Sequence, residues 1–169
     1  CSEEYDGTTW TEGNEVTVGR TAWAGVGTQN DVIAFSGMNI RSGYAFTTWM
    51  DYFASGYTGV GQNETLGYDG TSWVNCNDTT IFSGFRAGFG TPEAAVAAGG
   101  GYDGGTGECT QCTEEWDGTS WASGETMTVG RSVLSGAGTQ NDGVVFGGRE
   151  NSGYSNSYHN DTEIYDGTN

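Results

Sequence analysis

The chain predicts an all-β repeat fold, and three observations predict it. The first is internal repetition. Glu3-Glu4-Tyr5-Asp6-Gly7-Thr8-Thr9-Trp10 returns as Gly67-Tyr68-Asp69-Gly70-Thr71-Ser72-Trp73 and as Glu114-Glu115-Trp116-Asp117-Gly118-Thr119-Ser120-Trp121, then starts again at Glu163-Ile164-Tyr165-Asp166-Gly167-Thr168. The second is composition: glycine is abundant, Pro92 is the one proline, and Thr, Tyr, Trp, Phe and Val supply β-forming side chains. The third is the lack of any long stretch with apolar residues spaced at three and four. A motif returning about every fifty residues marks an array of small β units, none of which can bury its apolar face alone.

The copies align without a gap from each motif aspartate to a small pair: Asp6 to Ser36-Gly37, Asp69 to Gly99-Gly100, and Asp117 to Gly147-Gly148. Within that block Gly25, Gly27 and Thr28 match Gly88, Gly90 and Thr91, and again Gly136, Gly138 and Thr139. Arg20 matches Arg131, whereas the second copy has Ser83 there and its Arg86 falls out of phase. Taken in order, residues 21–24 predict a first strand, 32–35 a second, 66–68 a third and 72–74 a fourth, with an Asp-Gly turn between the last two. Alanines at 94, 95, 97 and 98 favour helix. That stretch aligns with residues 29–35, however, and is expected to be strand. The first copy carries extra length after its small pair, which places an insertion within Met38 to Gln62. One β-repeat domain over residues 1–169 follows, with repeat motifs starting near 3, 67, 114 and 163 and the aromatic insertion at about 38–62.

The order Arg20, a hydrophobic strand ending in Ser36-Gly37, then Tyr68-Asp69 and Trp73, resembles the kelch repeat. That resemblance implies one four-stranded propeller blade per repeat. The chain is also similar to Tyr-Asp-Gly-Thr-Ser-Trp repeat proteins of aquatic bacteria and their phages, which implies a surface or virion setting. The first copy departs from the kelch pattern at Ser36, where the double glycine would begin, and the second lacks the in-phase arginine. A propeller, an open sheet stack and a β-solenoid all remain compatible with the repeat.

Strand order bears on assembly. The chain opens on the third strand of a unit, closes on the third strand of another, and holds fewer pairs of first and second strands than a usual propeller of four or more blades. A fragment of a longer array, several copies closing one ring, or a polymer would each fit. Because both ends carry equivalent motifs, a head-to-tail joint is heterologous and makes a ring or a fibre. End strands without Lys or Pro favour such joining.

Charge narrows the partners. The net charge is −17, and every basic residue is arginine. Nucleic acid is an unsuitable partner for so acidic a chain, and so is an anionic membrane. No apolar run is long enough to insert in a bilayer. No signal-peptide pattern is visible, and Cys1 is not a translation start, so a leader already removed is compatible with the chain. Acidity reads first as solubility of an exposed protein. No cofactor is expected; calcium would have to use Asn75, Asn77 and Asp78 or Asn30 and Asp31, neither group having EF-hand spacing.

Cys1, Cys76, Cys109 and Cys112 are an even set. Cys109 and Cys112 lack the further ligands a zinc site needs, since His159 is the single histidine, and they lack the βαβ context of a redox motif. Extracellular disulfides are expected, with Cys76 joined to Cys109 or Cys112 and Cys1 open to a neighbouring subunit. Sequons at Asn63, Asn77 and Asn160 suggest glycosylation on loops.

The repeated residues read as structural. Asp6, Asp69, Asp117 and Asp166 are placed to accept turn amides. Trp10, Trp73 and Trp121 are placed to pack between sheets, and Arg20 and Arg131 to brace strands by pairing with the motif carboxylates. A specific function would sit in the unrepeated segment, where Tyr44, Phe46, Trp49, Tyr52, Phe53 and Tyr57 are candidates for a contact surface with a subunit or a glycan. No histidine cluster, arginine cluster or carboxylate spacing marks a catalytic site. The expectation is therefore a non-catalytic, extracellular or surface β-repeat protein that builds a filament or virion appendage by head-to-tail self-association. A glycan- or cell-surface-binding propeller is the alternative.

Overall fold

The structure, a computed structural model, describes residues 2–39, 60–101, 111–152 and 155–168. Its regular elements are all strands, and the repeat seen in the sequence is a repeat of four-stranded antiparallel sheets. A two-stranded unit comes first, β1 (Glu3–Tyr5) against β2 (Trp10–Glu12). The first full sheet joins β3 (Ala24–Thr28), β4 (Asp31–Phe35), β7 (Thr65–Tyr68) and β8 (Trp73–Asn75) in that order. The second joins β9 (Ala87–Thr91), β10 (Ala94–Ala98), β11 (Thr113–Trp116) and β12 (Trp121–Ser123). The third has β13 (Ser135–Thr139), β14 (Asp142–Phe146) and β17 (Thr162–Tyr165), and β17 is its outer edge. Two small pairs, β5 (Met38–Asn39) with β6 (Val60–Gly61) and β15 (Arg149–Ser152) with β16 (Ser155–Tyr158), occupy the connection from second to third strand. The first repeat's extra length thus falls at a place where the third repeat also has a strand pair.

The first strand of each sheet lies later than its apolar residues predict. Expected at residues 21–24, it runs instead over the glycine-rich Ala24–Thr28. Ala22 has φ 56°, outside strand geometry, and Phe85 (58°) and Val133 (56°) are left-handed at the same place in later repeats. Glycine serves the strand because neighbouring sheets meet there. A Cβ on Gly88 would stand 3.0 Å from the Phe35 ring, and one on Gly136 would stand 2.8 Å from the Phe89 ring. Missing side chains on one sheet therefore make room for aromatic ones on the next.

The core follows the same logic. Between the first two sheets lie Val26, Ile33, Phe35, Ala95, Ala97, Trp116 and Trp121; between the second and third lie Phe89, Val96, Ala98, Leu134, Val145 and Tyr165. Strand β10 contributes to both, with Ala95 and Ala97 on one face and Val96 and Ala98 on the other, as strand alternation requires. Being buried on both faces, it needs small apolar residues. Its alanines therefore suit a central strand despite their helical propensity.

Candidate functional site

The chemistry-bearing residues gather at the junctions between repeats and at the array's two ends. In each Asp-Gly-Thr turn the carboxylate accepts backbone N–H groups: Asp6 from Thr8 and Thr9, Asp69 from Thr71 and Ser72, Asp117 from Thr119 and Ser120, and Asp166 from Thr168. Those bonds hold the Asp6, Asp69 and Asp117 carboxyls below their ordinary range. The glycine that follows each of these aspartates has positive φ, for example 90° at Gly118, which lets the chain reverse.

The arginines do not pair with these aspartates. Arg20 pairs with Glu64, and Arg131 with Asp161 and Glu163, because the turn amides already occupy the motif carboxylates. Arg86, out of phase in sequence, pairs with Glu114, and both side chains are fully buried. Glu114 and Glu163 hold equivalent motif positions, so the second repeat reaches the same brace from a different backbone position. Burial pulls the Arg86 guanidinium down while the Glu114 charge pushes it back up. Each glutamate also accepts a backbone N–H from the loop entering its sheet, Thr80 for Glu114 and Thr128 for Glu163, both at 2.6 Å.

Across each junction runs a second set of bonds. Phe85 N–H donates to Ala22 C=O at 3.3 Å, and Val133 N–H to Phe85 C=O at 3.1 Å, so the left-handed residues form a ladder from repeat to repeat. The second residue of the first two small pairs joins in: Gly37 N–H donates to Ser83 C=O and Gly100 N–H to Arg131 C=O. Side chains follow a reciprocal pattern. Tyr68 donates its hydroxyl to Glu4, and Tyr165 donates to Glu115. Where the preceding repeat has Gly67 in place of that glutamate, the next has Trp116, whose indole N–H turns to Pro92 C=O at 2.8 Å. Burial, and then the bond to Glu115, pushes the Tyr165 hydroxyl far above the usual range.

The motif tryptophans differ in burial. Trp121 is 7% exposed, sits edge-on to Phe35 of the previous sheet, and donates its indole N–H to Thr65 Oγ1 at 2.9 Å. Trp73 is half-buried. Trp10 is 66% exposed and stacks on Tyr5 at 4.9 Å. At the other end of the array Ile164 is 78% exposed, with Phe146 also open. Between the second and third sheets lies a cleft of about 420 Å³ whose walls include Ala98, Thr113, Met127, Val145 and Tyr165.

Cys76 is a free thiol, so the disulfide expected from it to Cys109 or Cys112 is not formed. It packs against the core between the first two sheets, and burial raises its thiol above the usual range. Cys112 is half-buried just before β11, and Cys1 and Cys109 lie outside the described residues. The Asn63 amide donates to Thr79 C=O and the Asn77 amide to Thr119 C=O, so both sequon nitrogens are engaged, while Asn160 is exposed. Asp78 accepts from Thr65 N–H. Among the described residues no acidic, histidine or cysteine cluster is arranged to hold a metal ion. Tyr44, Phe46, Trp49, Tyr52, Phe53 and Tyr57 lie outside the described residues.

Two elements of the junction escaped the sequence reading. Arg86 and Glu114 carried a signal: each repeat has one arginine before its first strand, and only its phase differs. The pairing of Glu4 with Tyr68 and Glu115 with Tyr165 was legible as a coupled exchange to Gly67 and Trp116.

No protein-family model matches the chain, and no curated protein matches it. Among solved structures, that of YjhT aligns with a TM-score of 0.66 at 15% sequence identity, covering 92% of this chain and 45% of that one. The chain therefore shares an all-β repeat architecture with that protein and spans less than half of its length.

Proposed function

We propose that this chain is a non-catalytic, kelch-like module of an extracellular assembly, a filament or virion appendage, joined head to tail through its end repeats. One observation carries the reading: the inter-repeat ladder is a contact made in the same way at successive junctions. Ala22 C=O accepts from the repeat that follows it, and Val133 N–H donates to the repeat that precedes it. A second copy could therefore set Ala22 N–H against Val133 C=O and lay its first full sheet beside exposed Phe146. Continuation of an internal junction by a second molecule is a heterologous contact, which gives a ring or a fibre according to whether it closes. Sedimentation velocity without reductant tests this. Mass that rises with concentration, and falls when Phe146→Glu is introduced, is expected; a monomer at every concentration overturns it.

A glycan- or cell-surface-binding propeller module is the second reading. The pairs β5–β6 and β15–β16 bridge to the loops entering the sheets, through Thr21 with Met38 and Ser132 with Arg149, so they share one edge of the array. Phe82, Val133 and Tyr158 are exposed on those loops and strands, and the aromatic segment containing Trp49 and Tyr52 lies in sequence between β5 and β6. Aromatic faces stack on sugar rings. Glycan-array binding that disappears in Trp49→Ala/Tyr52→Ala would favour this reading over assembly.

A further inference from the structure

The arginine braces draw on two positions, five and three residues before the motif aspartate. The first repeat uses the earlier one, Glu64 on Arg20, and has Leu66 at the later. The third uses both, Asp161 and Glu163 on Arg131. The second uses the later one, Glu114 on Arg86, and its earlier position is Cys112. A thiol thus stands where the other repeats set a carboxylate against a buried guanidinium. Gly99 N–H donates to Cys112 C=O at 3.0 Å, one step beyond the β10–β11 register, so Cys112 and Glu114 alternate onto one face. Arg86 is 5% exposed, gives Nη1 to Glu114 and Nη2 to Ala97 C=O, and has a buried Nε without an acceptor. Arg131 has acceptors for Nε and both Nη groups. Burial pulls the Arg86 guanidinium down; Glu114 pushes it back up, and so does Cys112, whose sulfur lies within reach of that charge.

We infer that Cys112 is a site of oxidation by hydroperoxides, and that its sulfinate supplies a second anion to Arg86. Cys112 is a free thiol and partly exposed, so a small peroxide can reach it. Reactive cysteines sit in partly exposed, electropositive surroundings, and a chain of net charge −17 offers few of them. The sulfur attacks one peroxide oxygen: an S–O bond forms, the O–O bond breaks, and the departing oxygen takes the thiol proton and leaves as water. Sulfur loses two electrons and the peroxide gains them. A second peroxide repeats the step on the sulfenic acid, and loss of a proton gives the sulfinate. That group has a carboxylate's charge and its two acceptor oxygens, so Arg86 holds it as Arg131 holds Asp161. The second repeat then carries the two-anion brace of the third. This chemistry belongs to one internal repeat and holds whether or not copies assemble.

The probe is hydrogen peroxide, added at neutral pH to the full chain carrying Cys109→Ser, with products mapped by peptide mass. Two oxygens should add at Cys112 at least about tenfold faster than at Cys76, whose thiol is raised by burial against the apolar cluster. Arg86→Met/Glu114→Leu removes both charges, and should slow oxidation of Cys112 about tenfold. Melting at a dose that leaves Cys76 reduced then tests the brace. Sulfinate at Cys112 should raise the melting temperature when Arg86 is present and lower it in the double variant, where the new anion has no cation. Equal oxidation of the two cysteines, a rate indifferent to the double substitution, or lower melting in both chains overturns the inference. Should the double variant not fold, Cys112→Asp and Cys112→Asn take its place. The aspartate is expected to melt a few degrees above the asparagine, and equal melting overturns the brace.

Discussion

Asp117 accepts N–H groups from Thr119 at 2.8 Å and Ser120 at 2.7 Å, and these bonds hold its carboxyl below the ordinary value of 3.8. The folded turn therefore refuses a proton that the unfolded chain takes up. Its stabilisation is complete above the unfolded value and is lost as pH falls through the lower folded one. Asp6 and Asp69 behave alike. Melting temperature should thus fall in acid below about pH 4. Asp117→Ala should melt a few degrees lower at neutral pH and show a shallower acid loss; unchanged melting in calorimetry would refute the turn role. A second residue-scale expectation concerns the buried Arg86 and Glu114. Glu114→Ala leaves a buried guanidinium uncompensated and should cost about 3–5 kcal/mol, most of which Arg86→Met/Glu114→Leu should recover in urea titration. The turn aspartates were legible because Asp-Gly-Thr chemistry is local. The arginine partners were not, because Glu64, Glu114 and Asp161 reach them only once the strands are paired.

Elements obey the junction more than their own propensity. The alanines of β10 form a strand because both faces are buried, and aligning them with the first repeat found this where propensity alone would not. The same alignment could not place the first strand of each sheet. Apolar residues at 21–24 suggested it, whereas Ala22 is left-handed and Ala24–Thr28 is the strand. The need for glycine there is set by the neighbouring sheet, which local sequence does not reveal. Gly136→Ala, in β13, tests that need. Its new Cβ would overlap the Phe89 ring, itself buried between sheets. Overpacking should cost about 1–3 kcal/mol and lower melting by about 2–4 °C for each of them. A neutral effect would mean that the sheets are less closely apposed than described.

At the scale of the molecule, repeated junctions and net charge act in opposition. Each internal junction buries an apolar cluster and adds ladder bonds, while a charge of −17 makes identical copies repel. Raising salt shortens the screening length to roughly 3 Å at 1 M, so association through the ends should strengthen with ionic strength. Dissociation at high salt would point instead to a joint made by ion pairs. The central claim is that a second molecule continues the array's internal junction. Negative-stain electron microscopy of the untreated chain in moderate salt tests this most directly. Closed rings or fibres with a regular axial repeat are expected, and a field of single particles no larger than one chain would contradict it.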